Sequence, residues 1–185
     1  AGTNATPEHY AEVLAKEKRV YELSQIDGVP SVMPYQVPFR QLTTLLQTYS
    51  GDIDAVIAKL GDVKPEQEEC LRRRCECAWY WVKECAPEDF KFALREDGSK
   101  ADLSGDFLNA IKRIRDEVVI KLESYQVDKD LQQAMYDIAK EIGIDPKALF
   151  TSMYQVLIAK DQGPRLASFM KIIGKDKLNK LLENY

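Results

Sequence analysis

Apolar residues recur at helical spacing along most of the chain. Successive stripes run from Phe39 to Tyr49, from Phe107 to Leu122, from Leu131 to Ile142 and from Leu149 to Leu157. A period of three to four residues is typical of amphipathic helices, and the connections between the stripes are short. The pattern therefore predicts an all-α fold, a compact bundle or cage of roughly eight to ten helices.

Proline, glycine and capping residues divide these stripes into separate helices. Thr6-Pro7 and Asp145-Pro146 each pair a capping side chain with a proline at the first helical position. Gly143 and Gly174 follow the last apolar residue of a stripe and predict helix ends. The other predicted starts are at Pro38, at Asp52, at Pro65 and at Gly163-Pro164.

The helix predicted from Pro65 to about Glu84 carries all but one of the four cysteines and both tryptophans. At 100° per residue, Cys70, Cys77, Trp81 and Cys85 fall on one face, which we predict to be buried. Trp79 falls on the opposite face, where it could stack on an unpaired base or pack against a neighbouring helix. Paired Cys-x-x-Cys knuckles are absent from the sequence, so cysteines acting as small apolar side chains are favoured over a metal site.

A break in the helical pattern between Pro87 and Gly98 predicts a division into two helical subdomains. The predicted units are residues 1–98 and residues 99–185. Phe90, Phe92 and Leu94 alternate within this break, so a short extended piece is possible there.

Composition narrows the possible chemistry. His9 is the only histidine, and the sequence contains no Walker loop, no Gly-x-Gly-x-x-Gly turn and no His-Glu-x-x-His helix. We therefore expect no catalytic group, metal or cofactor in this chain. The apolar runs are too short to span a bilayer, and no signal segment is visible, which predicts a cytoplasmic protein without a membrane partner.

Charge is distributed unevenly along the chain. The net charge is −4, but residues 160–185 contain six basic and three acidic residues. Several of these cations lie close to predicted helix starts, where unpaired backbone N–H groups favour anions. The alternative is an ordinary solvated lysine-rich surface.

Four long phrases carry a resemblance to a known family. They are YELSQIDGVP from Tyr21, QVPFRQLTTLLQTYSGDIDAVI from Gln36, WVKECAPEDFKFAL from Trp81 and MYQVLIAKDQGPRLASFMKIIGKDKL from Met153. In this order they resemble the carboxyl-terminal part of archaeal-type class I lysyl-tRNA synthetases, and more loosely that of glutamyl-tRNA synthetases.

The resemblance implies a helical anticodon-binding region without the catalytic domain. It implies that the whole enzyme attaches lysine to tRNA(Lys) with ATP and Mg²⁺, while this part alone is inactive and binds no DNA. The implied partners are tRNA(Lys) and the missing amino-terminal catalytic domain. We expect RNA contacts from Lys160, Arg165, Lys175 and Lys177, with Arg40 as a weaker addition. The alternatives are a helical scaffold for protein interactions or the corresponding region of a glutamyl-type enzyme.

Overall fold

The structure is a computed structural model that describes residues 6–25, 28–29, 32–96, 100–103 and 105–185. Helices dominate these residues and no strand occurs among them, which confirms the predicted all-α fold. The α-helices are α1 (Pro7–Ser24), α2 (Phe39–Thr48), α3 (Ile53–Leu60), α4 (Pro65–Glu84), α5 (Gly105–Arg113), α6 (Asp128–Ile142), α7 (Pro146–Ile158), α8 (Leu166–Ile173) and α9 (Lys175–Leu182).

Local capping interactions explain where several helices begin and end. The side chains of Thr6, Asp52 and Asp145 accept hydrogen bonds from backbone N–H groups in the first turns of α1, α3 and α7. Gly143 ends α6 in the left-handed conformation, with a φ of 84°. The predicted starts at Pro7, Asp52 and Asp145 and the end at Gly143 are therefore confirmed.

The helix that begins at Gly105 changes its winding in its second half. A π-helical turn covers Ile114–Val118, and a 3₁₀ segment covers Val119–Ser124. The predicted stripe residues Ile111, Ile114 and Leu122 are buried. Val118 and Val119, on either side of the change in winding, are also buried, so the core face continues through it.

The predicted buried face of α4 is wrong. Cys70, Cys77 and Cys85 are exposed, and the residues that α4 buries are Leu71, Cys75, Ala78 and Val82. These positions also recur at helical spacing, one step away from the predicted stripe. Leu71 and Ala78 offer more aliphatic surface to the partner helix α2, and the cysteine face is left outside. Only Cys75 behaves as a small apolar side chain, and burial raises the pKa of its thiol.

The buried side chains form two clusters. The first, which we call the α2–α4 cluster, contains eight buried residues: Val37, Leu42, Leu45, Leu46, Val56, Leu71, Cys75 and Ala78. The second, the carboxyl-terminal cluster, is built by α5 to α9 and the winding change after α5, with Phe169, Met135 and Met153 fully buried.

Contacts between α2 and α8 join the two clusters. Ile172 on α8 packs against the α2–α4 cluster, and the Tyr49 hydroxyl donates to the Ile172 carbonyl at 3.3 Å. In the segment after α4, the ring of Phe92 meets Phe169 edge to face, with 5.3 Å between the centroids. The Phe92 N–H donates to the Gln47 side chain at 2.7 Å. α2 and α8 are therefore held at a fixed separation.

The segment from Lys91 to Glu96 is irregular rather than a strand. The Arg95 N–H donates to the Leu157 carbonyl at 2.8 Å, which ties this segment to the end of α7. The predicted boundary between residues 98 and 99 lies outside the described residues, as does Pro30 in the proline-rich stretch, and the division into two subdomains stays a prediction.

Candidate nucleic-acid interface

A recess of about 800 Å³ lies where the first turn of α2 faces the loop before α8. Pro38 caps α2 on one side, and Gly163, Pro164 and Arg165 form the other side. A Cβ atom on Gly163 would lie 2.9 Å from Ile158 and 3.1 Å from Tyr154, so a larger residue would force these side chains to shift. The Tyr154 hydroxyl donates to the Pro164 carbonyl at 2.5 Å and holds the loop in place.

Two of the predicted cations line this recess from opposite sides. Arg40 lies in the first turn of α2, and Arg165 is the capping residue of α8. Both side chains are exposed. A guanidinium remains charged at any physiological pH and presents planar donors that match phosphate oxygens. The structure therefore brings together two residues that are separated by 125 positions in the sequence.

Asp128 forms part of the same wall, together with the Lys171 and Ser168 side chains that contact it. Lys171 lies 2.8 Å from Asp128, and the Ser168 hydroxyl also donates to the Asp128 carboxylate. These hydrogen bonds, from Lys171 first and Ser168 second, lower the pKa of Asp128. The nearby positive charge of Arg165 acts in the same direction. Asp128 is therefore ionised at neutral pH and offers a fixed acceptor at the edge of a cationic recess.

Lys160 lines a smaller adjoining cavity of about 330 Å³, which also includes Arg40. Its ammonium group donates to the Glu88 carbonyl at 2.8 Å and to the Lys91 carbonyl. Two carbonyl oxygens thus hold the charge, and Lys160 connects the end of α7 to the segment after α4.

Lys177 lies away from the recess. It forms an ion pair with Glu96 at 2.8 Å and lies over the Tyr49 ring, 5.1 Å from its centroid. Burial raises the pKa of Tyr49, and the charge of Lys177 partly opposes this shift. Lys175 is the half-buried first residue of α9, directly after Gly174. The five predicted cations therefore do not form one continuous surface.

The aromatic candidates for base stacking are mainly structural. Phe169 is fully buried, as its helical spacing predicted. Trp79 is half-buried against the α2–α4 cluster, and its indole covers Gly51 so closely that a Cβ there would overlap it. Trp79 therefore packs against a neighbouring segment, which was the alternative to base stacking.

No feature of the sequence predicted Asp128, Ser168 and Tyr154 as wall residues. Each lies on a different helix, and although Tyr154 and Ser168 fall within the phrase from Met153, nothing in its pattern marks them as wall residues. Only the packing of α6, α7 and α8 brings them to one recess.

Two further observations bear on the class of site. Within the described ranges, no group of three His, Cys, Asp or Glu side chains could hold a metal ion. None of the helices in that part of the chain is long and apolar enough to cross a membrane. The fold and the recess thus define an all-α domain whose most distinctive surface feature is a cationic recess between two helical clusters.

Comparison with known proteins shows which proteins this chain is similar to. It is 47% identical over 171 residues to a protein named lysine–tRNA ligase from Treponema pallidum, covering 92% of this chain and 32% of that protein. Proteins of the same name are 36% identical in Borrelia garinii and 30% identical in Methanopyrus kandleri, over 91% and 90% of the chain and 32% of each relative. No protein-family model matches the chain.

The chain is thus a relative of the lysine–tRNA ligases over about nine tenths of its own length, which confirms the resemblance seen in the sequence. It spans about a third of the length of the curated relatives it matches. This share is consistent with the carboxyl-terminal fragment of an archaeal-type class I enzyme that the resemblance implied.

Proposed function

We propose that this chain is the tRNA-binding, anticodon-side part of a lysine–tRNA ligase. The whole protein attaches lysine to tRNA(Lys) in the cytoplasm, and its ATP and Mg²⁺ are bound by the catalytic domain outside this chain. The single observation that carries the proposal is the match of nine tenths of the chain to a third of proteins named lysine–tRNA ligase. The shared lysine name also favours this function over a glutamyl-type enzyme.

Within this function, the recess between α2 and α8 binds the RNA. Arg40 and Arg165 contact phosphates from opposite sides, and their exposed guanidinium groups can each bind two phosphate oxygens. The Asp128 carboxylate accepts a hydrogen bond from an exocyclic amino group of an unpaired base. Lys175 adds positive potential near the start of α9.

Lys160 and Lys177 support this function structurally, through contacts within the protein. The contacts of Lys160 with the Glu88 and Lys91 carbonyls and of Lys177 with Glu96 and Tyr49 fix the segment after α4 against α7, α9 and α2. The positive charge of Lys160 still contributes to the potential that attracts RNA, because backbone carbonyls do not neutralise it, whereas the Glu96 carboxylate offsets the charge of Lys177.

The test is a binding titration of the 185-residue chain with a tRNA(Lys) transcript at several salt concentrations. We expect weaker binding to a transcript whose anticodon is exchanged, and a linear decrease of log K with log salt concentration. Arg40→Gln and Arg165→Gln should each lower that salt slope by about 1, whereas the control Lys140→Gln, an exposed cation on α6, should leave it unchanged. Equal affinity for both transcripts would refute anticodon reading, and a salt-independent complex would refute the phosphate contacts.

The second candidate is a helical scaffold for protein interactions, which the net charge of −4 favours. It predicts no tRNA binding at any salt concentration in the same titration. A measurable affinity for tRNA(Lys) that depends on Arg40 and Arg165 would decide against the scaffold.

A further inference from the structure

The first helix, α1, carries an apolar stripe that the described structure leaves in solvent. At 100° per residue, Tyr10, Val13, Leu14, Val20 and Tyr21 fall within an arc of about 120°. All five side chains are exposed, with Tyr10 at 67% and Leu14 at 54%, and α1 buries none of its residues. An isolated helix of this length is only marginally stable in water, so the stripe requires a partner surface.

A groove on α4 presents a second uncovered apolar surface. It has a volume of about 450 Å³, and its floor consists of Leu42 and Ala78, with Phe39 and Trp81 at one end. Cys70 and Cys77 lie along its length and are exposed, as is half of Phe39. This is the face of α4 whose spacing had predicted burial. The groove thus leaves open the face of α4 that the sequence pattern had predicted to be buried.

We propose that α1 is that segment and that it docks into the α4 groove antiparallel to α4. The two surfaces have the same length, since Tyr10 to Tyr21 and Cys70 to Trp81 each span eleven residues of helix, or about 16 Å. Antiparallel alignment places Tyr21 opposite Cys70, Leu14 opposite Cys77 and Tyr10 opposite Trp81.

Charge complementarity selects this register. Glu17 lies in the middle of the apolar stripe of α1, where it would oppose burial against an apolar surface. In the antiparallel register, Glu17 falls opposite Arg74 and beside Arg73, the two cations that line the groove. Arg74 already donates to the Tyr35 and Val37 carbonyls, and Arg73 is exposed. Arg73 is therefore the better-placed partner for the Glu17 carboxylate.

The connection between α1 and α4 permits this docking. The Gln67 side chain donates to the Met33 carbonyl at 2.7 Å, so the chain before α2 is attached to the first turn of α4. Only the eight residues 25–32 separate Ser24 from this attachment, and nine peptide steps reach at most about 30 Å. The tether therefore lets the end of α1 reach the amino end of α4, which is where the antiparallel register requires it. Such a short tether gives a local concentration in the millimolar range.

The native cysteines provide the test. The 185-residue chain is treated with N-ethylmaleimide, and modification is followed at each cysteine by mass spectrometry, with exposed Cys85 beyond the groove as the reference. The stripe variant Tyr10→Ser/Leu14→Ser/Tyr21→Ser is compared with a control on the opposite face, Glu12→Ser/Arg19→Ser/Glu22→Ser. If α1 is docked in nine molecules of ten, the stripe variant should modify Cys70 and Cys77 about tenfold faster relative to Cys85. The control should modify them at the wild-type rate.

Two further variants test the register. Glu17→Arg should accelerate modification of Cys77, and adding Arg73→Glu should restore the protection. Under mild oxidation, Tyr21→Cys should form a disulfide with Cys70. Equal modification rates in the stripe variant and the wild type would overturn the proposal, and a disulfide to Cys77 or Cys85 instead of Cys70 would overturn the antiparallel register. Protection that increases with protein concentration would mean that α1 of a second copy occupies the groove, and would overturn docking within one chain. None of these results depends on tRNA binding.

Discussion

Replacement of Lys160 by methionine separates structural cations from RNA-binding cations. Methionine keeps most of the side-chain length but removes the ammonium group that donates to the Glu88 and Lys91 carbonyls. A hydrogen bond from a charged donor contributes about 1.5–3 kcal/mol, and the bond to Glu88 lies in an exposed position where solvent reduces its value. We therefore expect Lys160→Met to lower the free energy of unfolding by about 2 kcal/mol.

Thermal unfolding measures this loss directly. For a domain of this size, 1 kcal/mol corresponds to about 2–4 °C in Tm, so Lys160→Met should lower Tm by about 4–8 °C. The exposed Lys140→Met is the matched control and should remain within about 0.5 kcal/mol of the wild type. Unfolding in urea should give a lower midpoint with an unchanged slope.

The salt dependence of tRNA binding completes the comparison. Because the Lys160 ammonium is already held by two carbonyls, its removal should change the salt slope by less than half of the change caused by Arg165→Gln, which is expected to be about 1. Arg165→Gln should leave Tm unchanged, since Arg165 is exposed. A Lys160→Met variant that unfolds like the wild type while its salt slope falls by a full unit would contradict the structural role of Lys160.

Three further predictions concern stability. Gly51→Ala should lower the free energy of unfolding by about 1–3 kcal/mol in a urea titration, because φ is +84° and the new Cβ overlaps the Trp79 indole; a neutral effect would mean that Trp79 moves freely. Phe169→Ala should cost about 3–5 kcal/mol, since the ring is fully buried against Phe92; a loss below 1 kcal/mol would contradict this packing. The folded-state pKa of Asp128 is lowered by Lys171, so its contribution is present above the unfolded pKa of about 3.9 and is lost as pH falls through the folded pKa. Asp128→Asn should therefore destabilise the chain at neutral pH and show a smaller loss of stability on acidification below about pH 4, and equal acid sensitivity would refute the ion pair.

The sequence predicted local structure better than it predicted the site. Helix starts at Thr6-Pro7, Asp52 and Asp145-Pro146 depend on a cap and the turn that follows it, and a short window of sequence contains both. The burial of Phe169 also follows from its spacing alone. The functions of Lys160 and Lys177 depend instead on Glu88, Lys91, Glu96 and Tyr49, which lie between 69 and 128 positions away. No local pattern distinguishes a lysine bound to such partners from one that remains available to a phosphate.

The wrong buried face of α4 shows why apolar spacing can be ambiguous. Two sets of residues on this helix have core spacing, Leu71-Cys75-Ala78-Val82 and Cys70-Cys77-Trp81. Because α4 packs on one side only, against α2 and α3, it can bury only one of them, and it buries the aliphatic set, in which Leu71 and Ala78 complete the α2–α4 cluster. The second set lies beside it and keeps its apolar character in an open groove. Exposed apolar surface of this kind calls for a partner surface, and among the described residues α1 is the one helix that buries nothing and carries an uncovered apolar stripe.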